Sequence, residues 1–566
     1  MKRSFQAIVV GGGHNGLVCA SYLAKQGKRV AVFESRKVLG GASVTEELIP
    51  GYKFSRGAYL GGLLRPTIIK ELKLDQYGLE FFPRQHSSFT PMLNEDYLLM
   101  GQCPNFNVKE IEKFSKKDAS NYPKYEKQLE RFAVILEDLL DCIPPDPASP
   151  TFTKPKDLVE HIKTGVGLVK NIKNLGNKSE IGTFLQFLLT PASKWLDLWF
   201  ESEPLKATLA TDAVIGAHIS PHTPGSGYVL LHHVMGEWAY VKGGMGMISY
   251  SIACAAKDLG VEIFTDAEVC NIDVVNSNNN NGNYNGSVSS ITLSSGETIE
   301  TDIIISNATP FKTFSTHNGD DNNDTKNNIN NGLLSIETCE KYLSPEFYKN
   351  IADINYKSST TKINLATNAL PNFRCTPSSS NNKAGIEHEG TIHIGCESME
   401  SLHNAYQDAE YKNIVSKTPL IEMTIPSVLD NTLAPEGHHV INLFCQYTPY
   451  QPKDGEWNEE SKRKLAKHIF RLIDDYAPNF SKSIIGEPDI LTPKDLEVTF
   501  GLTGGNIFHG EMTLDRLFIT RPVASGASYR VPGIKGLYLC GASTHPGGGV
   551  MGAAGRNCSR AVLNDL

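Results

Sequence analysis

No stretch of this 566-residue chain approaches the ~18 uncharged apolar residues that cross a bilayer, so no transmembrane span is expected. Surplus positive charge is also missing. The net charge is −8 and the pI near 6.1, which leaves no basic surface for phosphate backbones and makes nucleic acid an unexpected partner. The 11 cysteines include no C-x-x-C pair, and Cys19, Cys445 and Cys540 sit inside apolar runs. That pattern predicts reduced, packed thiols in an intracellular compartment rather than disulfides or a metal site. No Ser-His-Asp arrangement or metal signature stands out. His218, His222, His232 and His233 lie near one another in sequence, but adjacent histidines on a strand face opposite ways, and no nearby carboxylate or thiol completes a ligand set. A strand signal beginning at Phe5 leaves no room for a signal peptide, and the two charges of residues 1–3 are too few for a mitochondrial presequence. What is present is ordinary for a soluble globular protein: 40% apolar and 20% charged residues, over a length that suits two or three domains.

Against that background, residues 5–34 carry a dense signal. FQAIVV is a run suited to a strand buried on both faces. Gly11, Gly13 and Gly16 follow, then a helix with Leu17, Ala20, Leu23 and Ala24 on one face, a stop at Gly27, and a second strand, RVAVFE. In this strand–turn–helix–strand unit Gly11 makes the tight turn, Gly13 admits a pyrophosphate to the backbone, and Gly16 lets helix and strand pack closely. The amides of His14 and Asn15 at the helix start, with the helix dipole, suit an anion. Glu34 ends the second strand, where its carboxylate can accept both hydroxyls of an adenosine ribose and would repel a 2′-phosphate. Ser35 and Arg36 follow, and then a second glycine turn, Gly40-Gly41-Ala42. An NAD fold would usually proceed to another helix and strand here. Flavoproteins of the glutathione-reductase structural class place a second turn against the same pyrophosphate, so FAD is the cofactor expected.

A second G-x-G-x-x-G match, Gly547, Gly549 and Gly552, lies within CGASTHPGGGVMGAAGR. It is preceded by a strand signal from Gly536 and followed by a helix to Leu566, but no further strand with a ribose acid follows it. Thr544, His545 and Pro546 also separate strand from glycines. The match therefore reads as a strand and helix that return to the first unit and complete its sheet, with residues 544–551 pressed against the flavin ring and ribityl chain.

GLYLCGASTHPGGGVMGAAG resembles the C-terminal flavin motif of the carotenoid/phytoene desaturase-type amine-oxidase superfamily. SPHTPGSGYVLLHHVMGEWAYVKGGMG (220–246) resembles its pyridine nucleotide-disulphide oxidoreductase domain-containing branch. The resemblance implies an α/β fold: a glutathione-reductase-type FAD-binding Rossmann domain interleaved with an α+β substrate domain. It implies flavin contacts from Gly541, Ala542, Gly549, Val550 and Met551, adenine contact from Val269, and a mitochondrial matrix location. Many amine oxidases end this strand in Gly-Asp. Here Ala542 follows Gly541, so the aspartate's contact must come from elsewhere. The branch's name implies disulfide chemistry, but residues 35–102 hold no cysteine, and the second fingerprint supplies no NAD(P) domain. A dithiol reductase is therefore not expected.

The expected organisation is an FAD domain from residues 1–79, 226–310 and 501–566, and a substrate domain from 80–225 and 311–500. Asparagine-rich tracts at 276–286, 317–332 and 378–382 read as disordered surface insertions. The segments 261–275 and 287–310 read as a β-meander closing on a buried strand, 303–306. A helix carrying Leu129, Phe132, Ala133, Leu136 and Leu140 on one face precedes a stiff proline-rich linker at 143–155. The Leu-, Phe- and Trp-rich run 181–200 suits packed core, and alternatively the wall of an apolar tunnel or a peripheral membrane patch. Weak candidates for chemistry are His545, which would polarise the ring, transfer protons or tie down its loop, and Trp238, Tyr240 and Lys242. Trp238 and Tyr240 could equally be core.

The function expected is oxidation of a small apolar or amphipathic substrate by hydride transfer to flavin. A non-catalytic binding protein on the same fold and a flavin-dependent isomerase are the alternatives.

Overall fold

The computed structural model describes residues 5–146, 155–174, 178–277, 284–317, 329–330, 332–376 and 383–566. Its first layer is a five-stranded parallel sheet in the order 537–539, 304–306, 7–10, 30–33, 262–264. These strands are short and apolar because both faces are covered, as a parallel sheet requires. Ile8, Val9, Ala31, Val32, Ile304 and Ile305 are all fully buried. Helices His14–Lys25, Gly246–Asp258 and Ala553–Asp565 pack on one side of it.

The segment 261–300 divides differently from the expected single meander. Glu262–Phe264 joins the parallel sheet as its edge, beside Phe33. The antiparallel meander begins only at Val269–Asn276 and continues through Tyr284–Leu293 and Thr298–Glu300. The strand near 303–306 belongs to the parallel sheet, between 7–10 and 537–539. A period-two pattern marks a strand but not its partner, and one residue span can feed two sheets.

The asparagine-rich tracts also begin later than composition suggests. Asn276 pairs with Gly286 and accepts a hydrogen bond from Tyr342 Oη (3.0 Å), so both flanks of the first tract are strand. Thr316–His317 pairs with Ile329–Asn330 at the flanks of the second. The interiors, 278–283 and 318–328, and residues 378–382 lie outside the described residues, as does 147–154 of the proline-rich linker.

A seven-stranded mixed sheet, in the order 484–491, 360–367, 439–446, 420–424, 391–394, 86–91, 97–101, forms the second layer. Helix Glu459–Tyr476 covers one face through Leu465, Ile469 and Ile473. Helices Lys116–Leu140, Lys178–Leu189, Ala192–Trp199, Glu203–Thr211 and Ser226–Val234 build a separate aromatic-rich core. In the first of these, Leu129, Phe132, Leu136 and Leu140 are buried along one face. In the 181–200 run, Phe184, Phe187, Trp195 and Leu196 are packed interior residues, while Leu185, Leu189 and Leu198 are exposed.

Candidate active site

One cavity of about 1320 Å³ joins the two layers. It exceeds the ~300–1,000 Å³ of pockets for drug-sized ligands and has room for a dinucleotide with a further small molecule.

At its nucleotide end, helix His14–Lys25 starts at Gly13 with no side-chain cap, and Gly13, His14 and Asn15 line the cavity. An uncapped helix start leaves amides and a partial positive charge facing the space. Gly11 takes φ +99, and a Cβ on Gly16 would stand 2.3 Å from the Gly11 carbonyl oxygen, so only glycine permits this turn. The second glycine turn closes on the first. Gly40 donates to the Gly12 carbonyl (2.9 Å), and a Cβ on Gly41 would come 3.7 Å from Gly13 Cα.

Glu34 is buried beside them. It accepts from the Gly12 amide (2.7 Å) and the Arg36 amide (2.9 Å), which fixes the carboxylate at the cavity wall. Ser35, Arg36, Gly40, Gly41, Ala42 and Val269 line the same end. Phe500 covers the Arg36 guanidinium at 5.3 Å. Buried Arg36 Nη1 and Asn15 Oδ1 have no hydrogen-bond partner within the protein, the signature of a site made for a polar guest. Burial pushes His14 down to about 4, so its ring is neutral.

The second fingerprint comes to the same corner. Strand 537–539 lies beside 304–306. Asn307, just past that strand, ties the turns together: its amide donates to the Val10 carbonyl (2.8 Å), and its side chain donates to the Gly11 carbonyl (3.2 Å). Ala542, Gly548, Gly549 and Val550 line the cavity, whereas Gly541, Gly547 and Met551 do not. Gly541 backs onto the Asn307 carbonyl, and the Met551 carbonyl accepts from the Arg65 amide (3.1 Å).

The candidates for chemistry separate sharply. His545 stands outside the cavity lining; its Nε2 meets the Leu139 carbonyl (2.6 Å), and burial pushes it down to about 4. It anchors the loop to helix Lys116–Leu140. Trp238 lines the cavity and donates from its indole to the His233 carbonyl (2.9 Å). Tyr240 is buried behind the wall, with Arg84 5.8 Å from its ring centre. Lys242 is nearly half exposed, pairs with Glu80 at 2.7 Å and lies away from the cavity. His232 and His233 lie on helix Ser226–Val234, not on a strand, and both line the cavity. His218 contacts Glu410 (2.6 Å) and His222 contacts Ser193 (2.8 Å), both outside it.

No sequence motif marks the far end. Tyr59 donates to Glu422 Oε2 (2.7 Å), and burial raises the Glu422 carboxyl to about 8. His393 lies 3.8 Å from Glu422 but is pushed down to about 3 by burial. A neutral ring beside a protonated carboxyl is not an ion pair. Burial also raises Asp212. Lys362, from strand Thr360–Thr367, places its buried Nζ 4.5 Å from the Tyr59 ring centre, with no hydrogen-bond partner. Burial lowers it to about 7, against smaller opposing effects of Cys445 and Asp489.

A lysine with a lowered folded pKa binds fewer protons folded than unfolded between about 7 and its ordinary value of 10.5. Stability therefore rises with pH through that window, and the cost is fully present below it. Lys362→Met is expected to be more stable than the native protein below pH about 7, with the gap closing towards pH 10.5. Denaturant unfolding at a series of pH values measures this; a gap independent of pH contradicts it.

The model of the NAD(P)-binding Rossmann-like domain family matches residues 9–60, the span holding both glycine turns and Glu34. The pyridine nucleotide-disulfide oxidoreductase domain-containing protein 2 of Rattus norvegicus is 45% identical, with 100% of this chain and 94% of the relative covered. The 4,4'-diapolycopen-4-al dehydrogenase of Metabacillus indicus is 23% identical over 96% of this chain and 93% of its own. Among solved structures, the cyclohexylamine oxidase of Brevibacterium oxydans superposes with a TM-score of 0.54 and 16% identity, covering 100% of both chains. That likeness confirms the α/β architecture of a Rossmann layer with an interleaved second layer. On full-length identity, the chain belongs to the pyridine nucleotide-disulfide oxidoreductase domain-containing protein 2 family.

Proposed function

We propose that this protein is an FAD-dependent oxidoreductase of the desaturase or oxidase type. The observation that carries this reading is the convergence of both glycine fingerprints on one cavity that extends to a buried polar wall. The residues present fit the cofactor. The uncapped helix start and paired glycine turns suit a pyrophosphate, Glu34 suits a ribose, and the close-packed Gly548–Val550 backbone suits a planar ring. The family model's description names NAD(P), but the turn at Gly40–Gly41 and the returning strand 537–539 favour FAD.

When bound, FAD supplies a two-electron acceptor. The substrate would lose a hydride and a proton and gain a double bond, and the two electrons would pass on to oxygen, a quinone or another acceptor. This chain's residues enclose and orient the substrate. Lys362, balanced near neutrality, is placed to hold or release a proton at Nζ. Disulfide reduction is disfavoured because, among the described residues, Cys270 is the only cysteine lining the cavity.

Purified protein is expected to be yellow and to release FAD on denaturation, identified by mass. Protein that stays colourless after FAD addition overturns the proposal.

A further inference from the structure

Arg84 places a guanidinium at the cavity's far end. It is 5% exposed and lines the cavity. Nε donates to the Trp238 carbonyl (3.1 Å) and Nη1 to Thr391 Oγ1 (2.9 Å). Both partners are neutral, and among the described residues no carboxylate pairs with the guanidinium. A buried cation without a direct ion pair is costly, and proteins usually pair such groups. The two held nitrogens also fix the plane of the guanidinium at the cavity wall, with Tyr240 beside it, and a fixed guanidinium lining a cavity is suited to a carboxylate.

We propose that the substrate is an amphipathic acid whose carboxylate binds Arg84, with its hydrocarbon body along Met100, Leu129, Leu209, Ile215 and Leu230 of the same cavity.

The surrounding groups bear on this choice. Glu422 is engaged by Tyr59 and held protonated at neutral pH; His393 is neutral; Lys362 is partly cationic. Of these neighbours Asp212 opposes an anion; burial raises its carboxyl, against smaller effects of His233 and Arg84. The Arg84 guanidinium at the wall disfavours an ammonium guest. The lining beyond it is largely aliphatic and aromatic, so a small polar acid would leave most of the wall unmatched. The inference rests on the proposed function only in taking this cavity as the substrate site.

The test titrates the purified holoprotein with decanoate, decanol and decylamine by calorimetry, a readout independent of flavin colour. Decanoate is expected to bind about 10- to 100-fold more tightly than either other probe, as a charged hydrogen bond of that class provides. Arg84→Gln should remove that preference while leaving decanol unchanged, and Asp212→Asn should strengthen decanoate. Equal binding of decanoate and decanol, preference for decylamine, or an unaltered Arg84→Gln protein each overturns the proposal. If Arg84→Gln fails to fold, the three-probe comparison on the native protein decides alone. A colourless protein that prefers decanoate upholds this inference and fails the flavin reading; a yellow one that prefers decanol does the reverse.

Discussion

Gly13→Arg is expected to yield a folded protein with no bound flavin. A Cβ at this position would stand 2.8 Å from Asn307 Nδ2, and Gly41 lies across from it near van der Waals distance. Arginine therefore has no direction to take except into the space where a pyrophosphate would lie. Because Gly13 lines the cavity rather than the core, the loss falls on binding more than on stability. A 100-fold or greater drop in affinity, about 3 kcal/mol, should leave the purified variant colourless. Gly182→Arg serves as the control, since nothing lies within 4 Å of a Cβ there. Its flavin content should match the native protein's. A yellow Gly13→Arg protein would remove the glycine cradle from the functional argument.

The second large effect concerns the joint between the two fingerprints. A Cβ on Gly555 would lie 2.0 Å from the Asn15 carbonyl oxygen and 2.9 Å from its carbon. Helices His14–Lys25 and Ala553–Asp565 thus touch backbone to backbone at this point. Neighbouring backbone cannot rotate away as a side chain can, so Gly555→Val must part the helices. Overpacking costs roughly 1–3 kcal/mol and occasionally more; here the upper end is expected. At about 2–4 °C per kcal/mol for a domain of moderate size, thermal unfolding should begin about 6–12 °C lower. Flavin content should fall with it, because Asn15 belongs to both the joint and the cavity lining. Gly182→Ala should be neutral or slightly stabilising. Differential scanning calorimetry distinguishes the two; an unchanged transition for Gly555→Val would mean the helices do not meet in this way.

The nucleotide end is legible in the sequence because its physics is local. Gly11–Gly16, Glu34 and Gly40–Gly41 lie within one short span, and each glycine answers a steric demand set by its neighbours. The return of strand 537–539 and its helix is legible for a related reason: Thr544, His545 and Pro546 separate the strand from its glycines, a spacing that an independent half-site does not have. The far end is not legible. Arg84, Asp212, Lys362, His393 and Glu422 come from five separate parts of the chain, and nothing around any of them forms a motif. What singles them out is burial inside a cavity, a property of packing alone. Lys242 stands out in a conspicuous glycine-rich segment, yet the lysine inside the cavity is Lys362. Residues 226–234 suit a strand by pattern because a short apolar run fits a buried strand or a buried helix equally. Gly225 at φ +88 begins a helix there instead, and the Ser226 hydroxyl accepts from the Ala192 amide (2.8 Å) at the start of the neighbouring helix Ala192–Trp199.

The order of the parallel sheet has a consequence for biosynthesis. Strand 304–306 is flanked by 7–10 on one side and by 537–539 on the other. At about 5–20 residues per second, roughly half a minute to two minutes separate the emergence of those neighbours from the ribosome. Throughout that interval the nascent polypeptide carries an unfinished, strongly apolar layer with one flank bare. The sheet, and with it the corner where the two glycine fingerprints meet, can therefore close only after the last strand has been made.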